Sequence, residues 1–169
     1  MTQARTVQPG GAADDEQRLA ERVVAEMLEH DAFSRWLGIE VTSVAPNAAT
    51  VRMTVRPEMV NGFGACHGGI AFSLADSALA FASNTHGRVT VSVENSIRYP
   101  APISPGDVLT ATAMQETAGR RLAFFNVTVT RDGGDVVGLF RGTVYRTSRD
   151  VFPADTSQSP NVTRDTSHD

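Results

Sequence analysis

Residues 61–87 read NGFGACHGGIAFSLADSALAFASNTHG, and the fold turns on how they are read. Ile70, Phe72, Leu74, Ala75, Ala78, Leu79, Phe81 and Ala82 fall on all sides of a 3.6-residue period, which predicts a helix buried nearly all round. Gly68 and Gly69 precede it. Asn84-Thr85-His86-Gly87 stops it, with Gly87 free to take the left-handed conformation. One carboxylate, Asp76, sits about two turns inside this otherwise uncharged run, with Phe72, Ser73, Leu79 and Ala80 as its neighbours at helical spacing. It is too deep to cap the helix, and burying a lone carboxylate is costly unless something compensates it.

Upstream, DDEQRLAERVVAEMLEHD over 14–31 places Leu19, Val23, Met27 and Leu28 on one face, an amphipathic helix over 14–30 with Asp14 and Asp15 as cap candidates. A short helical turn carrying Phe33, Trp36 and Leu37 ends at Gly38. Residues 39–56 alternate as two strands around Pro46-Asn47. Downstream, four more strands are predicted over 88–99, 107–117, 121–131 and 135–147, with Ala118-Gly119-Arg120 as a tight hairpin. Strands clustered around one central helix indicate an α+β fold, a mostly antiparallel sheet wrapped around that helix. The expected organisation is a single domain over 14–149, flanked by polar tails at 1–13 and 150–169.

The chain of 169 residues suits one core. Its net charge of −4 and lack of a basic run argue against non-specific nucleic-acid binding. No window matches a membrane span and the N-terminus has no apolar leader, so a cytoplasmic protein is expected. Cys66 is the only cysteine, which removes a disulfide framework and a multi-thiolate zinc site. His67 adjoins it, but His30, His86 and His168 are scattered, so neither metal nor cofactor is expected.

The chemistry concentrates in CHGG followed by Asp76. Glycines at a helix start leave outward N–H groups at the positive end of the dipole, a carbonyl-polarising site; alternatively they only let the helix pack against a strand. Burial raises a carboxylate towards the range of a general base near neutrality, although a structural Asp bonded to a buried partner is the alternative. Gly68 and Asp76 are eight residues apart, roughly 12 Å along a helix. If both act on one carbonyl, they come from two antiparallel helices related by a two-fold axis, so the catalytic reading requires a homodimer.

With Asn61, His67, Gly68, Gly69 and Asp76, the pattern Asn-x5-His-Gly-Gly-x6-Asp is complete. Together with RYPAPISPGDVLTATA and GLFRG, it closely resembles the PaaI-type branch, named for phenylacetic acid degradation, of the hotdog-fold acyl-CoA thioesterases, over about residues 25–147. The resemblance implies that Asp76 is the catalytic base or nucleophile, and that the Gly68 N–H binds the thioester oxygen. It implies that Asn61 and His67 shape the same pocket from the neighbouring chain, and that Ser92 orients the water. Gly69 and Phe72 join the expected substrate contacts, and exposed Arg120 and Arg121 suit the phosphates of CoA. The branch implies an aryl-acetyl or hydroxyphenylacetyl group and a homotetramer. The alternatives are a medium-chain acyl thioesterase, a non-catalytic acyl-CoA sensor, and a hydratase, which needs a different acid–base pair.

Overall fold

A computed structural model describes residues 11–152. The element order is α1 (Ala12–His30), α2 (Ala32–Leu37), β1 (Glu40–Ala45), β2 (Ala48–Thr54), a single 3-10 turn (Pro57–Met59), α3 (Gly68–Asn84), β3 (Arg88–Arg98), β4 (Val108–Ala118), β5 (Leu122–Arg131) and β6 (Val136–Asp150). The six strands form one antiparallel sheet in the order β1-β2-β4-β5-β6-β3. The apolar helix is α3, and the sheet wraps it: Leu74, Leu79 and Phe81 share a core with Val51, Met53, Leu109, Phe125, Val127 and Phe140. The order and architecture agree with the α+β expectation, and Thr85 and Gly87 (φ 81°) close the helix as the sequence predicts.

The start of α1 differs from expectation. Gly11, extended, is the N-cap and makes no side-chain cap bond; its carbonyl accepts from the Asp14 and Asp15 amides. Ala12 and Ala13, strong helix formers, therefore precede the acidic pair, which lies inside the first turn near the positive end of the dipole. The expected tail over 1–13 thus loses its last two residues to the helix, and that over 150–169 loses Asp150 to β6. Residues 1–10 and 153–169 of those tails lie outside the described residues.

The sheet has two edges. β1 is six residues long, and α1 packs on it, with Gln17 Nε2 donating to the Val44 carbonyl at 2.8 Å. β3 is eleven residues long and, among the described residues, is bonded on one side only, to β6. Val91 and Val93 on it are 48% and 62% exposed.

Candidate active site

Asp76 lies on the face of α3 turned towards β3. Its Oδ1 accepts a hydrogen bond from Asn95 Nδ2 at 2.7 Å and a longer one from Ser92 Oγ at 3.4 Å. Burial raises its pKa above the usual carboxylate value, and these two donors, which favour the charged form, hold the rise back. Among the described residues, the compensation that the sequence demanded is therefore partial and comes from a hydroxyl and an amide donor.

Regular strand alternation would send residues 92 and 95 to opposite faces of the sheet. The register shows why both reach Asp76: Ser92 lies opposite Val144 and Glu94 opposite Thr143, so Val93 is an extra residue, a β-bulge. The alternation resets across it, and Asn95 faces α3 opposite Gly142. Glycine leaves the room for both, because a Cβ at 142 would overlap Leu79 Cδ2 and stand 2.9 Å from Asn95 Oδ1, so one of these side chains would have to shift.

The second cluster is at the N-terminus of α3. His67 is the N-cap, its Nδ1 accepting from the Gly69 amide at 2.9 Å. That takes up one of the two glycine N–H groups expected to point outward. The Gly68 amide makes no hydrogen bond among the described residues, so it alone of the pair is available to a substrate oxygen. Tyr99, from the end of β3, donates its hydroxyl to the Gly68 carbonyl at 2.8 Å; a Cβ on Gly68 would lie 3.2 Å from that hydroxyl. Asn61 folds the preceding loop, its Oδ1 accepting from the amides of Phe63 (2.9 Å) and Ala65 (3.3 Å). Phe63 stands 98% exposed at the tip of that loop.

Gly68 and Asp76 both lie on α3, eight residues apart, so the two clusters of one protomer are separated by roughly 12 Å of helix. Phe72, midway, is half-buried and packs edge-to-face on Phe140 at 5.3 Å. Arg120 and Arg121 lie beyond the opposite, C-terminal end of α3. There they line a cavity of about 700 Å³ with His86, Arg88, Tyr145 and Arg146. Arg121 donates to the Tyr145 hydroxyl at 2.9 Å, and Arg146 to Gln115 Oε1 at 2.8 Å. Burial, and then Arg146, pushes the His86 pKa down, so this basic cavity draws its charge from the arginines. Cys66 is buried and its thiol is raised by burial, the opposite of an activated nucleophile. Among the described residues, no group of three or more His, Cys, Asp or Glu is placed to hold a metal.

Asn95, Tyr99 and Phe63 were not singled out from sequence, nor were Arg88, Arg146 and His86 read as one cavity. The bulge that aims Asn95 leaves no mark in the strand pattern. Tyr99 acts across 31 positions, and the cavity joins strand ends distant in sequence.

A fold and a site of this kind have known relatives. Residues 63–137 match the thioesterase superfamily. The acyl-coenzyme A thioesterase PaaI of Escherichia coli K12 is 39% identical over 120 residues, covering 71% of this chain and 86% of that protein. The solved structure of the E. coli PaaI protein from the phenylacetic acid degradation operon superposes with a TM-score of 0.78, over 79% of this chain and 97% of that one, at 36% identity. A Streptococcus mutans UA159 protein solved bound to acetyl CoA superposes with a TM-score of 0.64, over 66% and 90%, at 26% identity. No helix of the described residues is long and apolar enough to cross a membrane. With the His67–Gly68–Gly69 cap, the half-buried Asp76 and the wrapped helix in place, the chain belongs to the thioesterase superfamily, as a hotdog-fold acyl-CoA thioesterase of the PaaI type.

Proposed function

We propose that this chain hydrolyses aryl-acetyl-CoA or hydroxyphenylacetyl-CoA thioesters to the free acid and CoA, at sites shared between two protomers. The observation that carries the shared site is the separation of Asp76 from the free Gly68 amide on one helix. Both must lie within about 3 Å of one reacting group. The bare β3 edge supports it: a second copy laid antiparallel along β3 sets two α3 helices side by side in opposite directions, with Gly68 of each near Asp76 of the other.

Water attacks the thioester carbonyl carbon while Asp76 accepts its proton. The Gly68 N–H of the neighbouring protomer stabilises the oxyanion, at the positive end of a helix. Collapse then breaks the C–S bond, and the CoA thiolate leaves and takes up a proton. Asn61 and His67 hold the Gly68 turn in shape, Gly69 is the amide spent on the His67 cap, and Ser92 orients the water. Phe72 and Phe63 offer the apolar surface for an aromatic acyl group. The cavity holding Arg120 and Arg121 takes the CoA phosphates; it lies beyond Asn84, about 12 Å of helix from Asp76.

Thiol release measured across a panel of acyl-CoAs tests the reading. Phenylacetyl- and hydroxyphenylacetyl-CoA should give the highest kcat/KM. A preference for medium-chain aliphatic esters overturns the acyl assignment, and binding without release makes the chain a sensor. Mixing Asp76→Ala with Asn61→Ala chains should restore part of the lost activity in hybrid dimers. No recovery after verified subunit exchange overturns the cross-chain site. Oxygen-18 appearing in Asp76 after a single turnover in labelled water would assign it as nucleophile rather than base.

A further inference from the structure

Asn95 is the nearest partner of the reacting carboxylate, and its setting is unusual. Its amide nitrogen faces Asp76 Oδ1 at 2.7 Å; the reverse orientation would set two oxygens against each other. The orientation that satisfies Asp76 strands the other end of the amide: Asn95 Oδ1 is buried without a hydrogen-bond partner among the described residues. A buried, unpartnered acceptor destabilises a fold, so its presence beside a catalytic carboxylate asks for a functional account. Two further features concern the same side chain. The bulge at Val93 turns residue 95 to the helix face, and Gly142 leaves the space that its oxygen occupies.

Both donors converge on one oxygen. Ser92 and Asn95 reach Oδ1, whereas Oδ2 accepts no hydrogen bond among the described residues. We infer that Asn95 is a positioning residue: with Ser92 it saturates Oδ1 of Asp76, fixes the plane of the carboxylate and leaves Oδ2 as the oxygen that reacts. The inference rests on the reading of Asp76 as the reacting group.

Within the protomer the surroundings add no competing charge; in the proposed dimer the titratable group that comes nearest is His67 of the neighbouring Gly68 turn, present alike in wild type and variant. On α3, Asp76 neighbours Phe72, Ser73, Leu79 and Ala80; β3 offers Ser92 and Asn95, and β6 offers Gly142 and Val144. Glu94 and Arg141, next in sequence to this pair of strand positions, line a separate cavity on the other face of the sheet with Phe124. From α1, β2, β4 and β5, no charged side chain among the described residues bears on the carboxylate, whose titration is set by burial, Ser92 and Asn95. Removing Asn95 therefore removes a donor to the charged form and raises Asp76 further.

Asn95→Leu keeps the volume while deleting both the donor and the stranded acceptor. At pH 7 its kcat should fall roughly 10- to 100-fold with KM unchanged, the penalty of a loosened catalytic group. The acidic limb of its pH profile should move to higher pH, and its Tm should not fall. A residue that only held the fold together would lower Tm and leave the limb in place. Carbon-13 NMR titration of the Asp76 carboxyl, assigned with Asp76→Asn, reads the effect without turnover. The midpoint should rise in Asn95→Leu, and in Asn95→Ala should the leucine chain not fold. Equal midpoints in variant and wild type overturn the proposal. A raised midpoint in a chain whose wild type releases no thiol supports the Asn95–Asp76 coupling and overturns the thioesterase reading instead.

Discussion

The two edges of the sheet are built on opposite plans. β1 is short, and α1 covers it, with Gln17 bonding the Val44 carbonyl. β3 is nearly twice as long, lies uncovered among the described residues, and exposes Val91 and Val93. Proteins ordinarily blunt a free edge to avoid pairing with other chains, as β1 is blunted here. The same fold leaves β3 open, and it is β3 that carries Ser92 and Asn95 to Asp76, with Tyr99 just past its end reaching Gly68. Among the described residues, the strand side chains that hydrogen-bond to Asp76 thus all come from the unprotected edge. The contrast separates an edge covered for stability from one left open beside the chemistry, where the proposed dimer would pair.

The deepest cut on the β3 side is Asp76→Asn, which should lower kcat by about 10²–10⁴-fold. It also has a stability signature. Because burial raises Asp76, its contribution to stability is complete below the unfolded aspartate range, near about pH 3.9, and is lost as pH rises through the folded midpoint. The Asp76→Asn variant, neutral at this position, escapes that loss. At pH 7 it should melt at or above wild type, and the difference should close on acidification. Thermal melts across pH check the sign.

Next is the edge itself. Val91→Arg combined with Val93→Arg should give monomers in sedimentation and reduce kcat/KM by roughly 10²–10³-fold, the cost of a lost oxyanion donor. The matching change at the exposed Thr42 of β1 should alter neither. Gly142→Ala brings a Cβ into Leu79 and Asn95; overpacking should cost roughly 1–3 kcal/mol in denaturant melts and slow turnover as Asn95 shifts. The smallest effect is expected from Tyr99→Phe, which frees the Gly68 carbonyl at a cost of about 1 kcal/mol, seen as a several-fold fall in kcat.

The sequence is most legible where one local pattern governs. The all-round apolar helix, the order of helices and strands along the chain and the oddity of Asp76 follow from periodicity and burial cost, and the structure has each. The Gly68–Gly69 pair is half legible: the helix start is evident, but not that His67 would claim the Gly69 amide. Asn95 is illegible by the same rule that finds strands, since strict alternation places it away from Ser92. The cap at Gly11 escaped because a glycine offers no side chain to recognise, while Asp14 and Asp15 look like caps. The arginine cavity depends on how the β4–β5 hairpin closes over the end of β6, a tertiary fact with no local trace.

Val93 is a residue that the ladder skips, and the site depends on its being skipped. Were the bulge ironed out with Val93 taken into the pairing, every later side chain of β3 would turn over. Glu94 and Ser96 would then face the helix, while Asn95 and Ile97 swung outward. That slip would set a second carboxylate beside Asp76 in a half-dry setting and pull an isoleucine out of its packing, so the slipped strand is penalised twice. Glu94, which touches nothing in the site, thereby acts as a lock on it: its charge makes the wrong phase of the strand expensive. A side chain with no part in the site thus helps to keep its sequence neighbour Asn95 turned towards the helix.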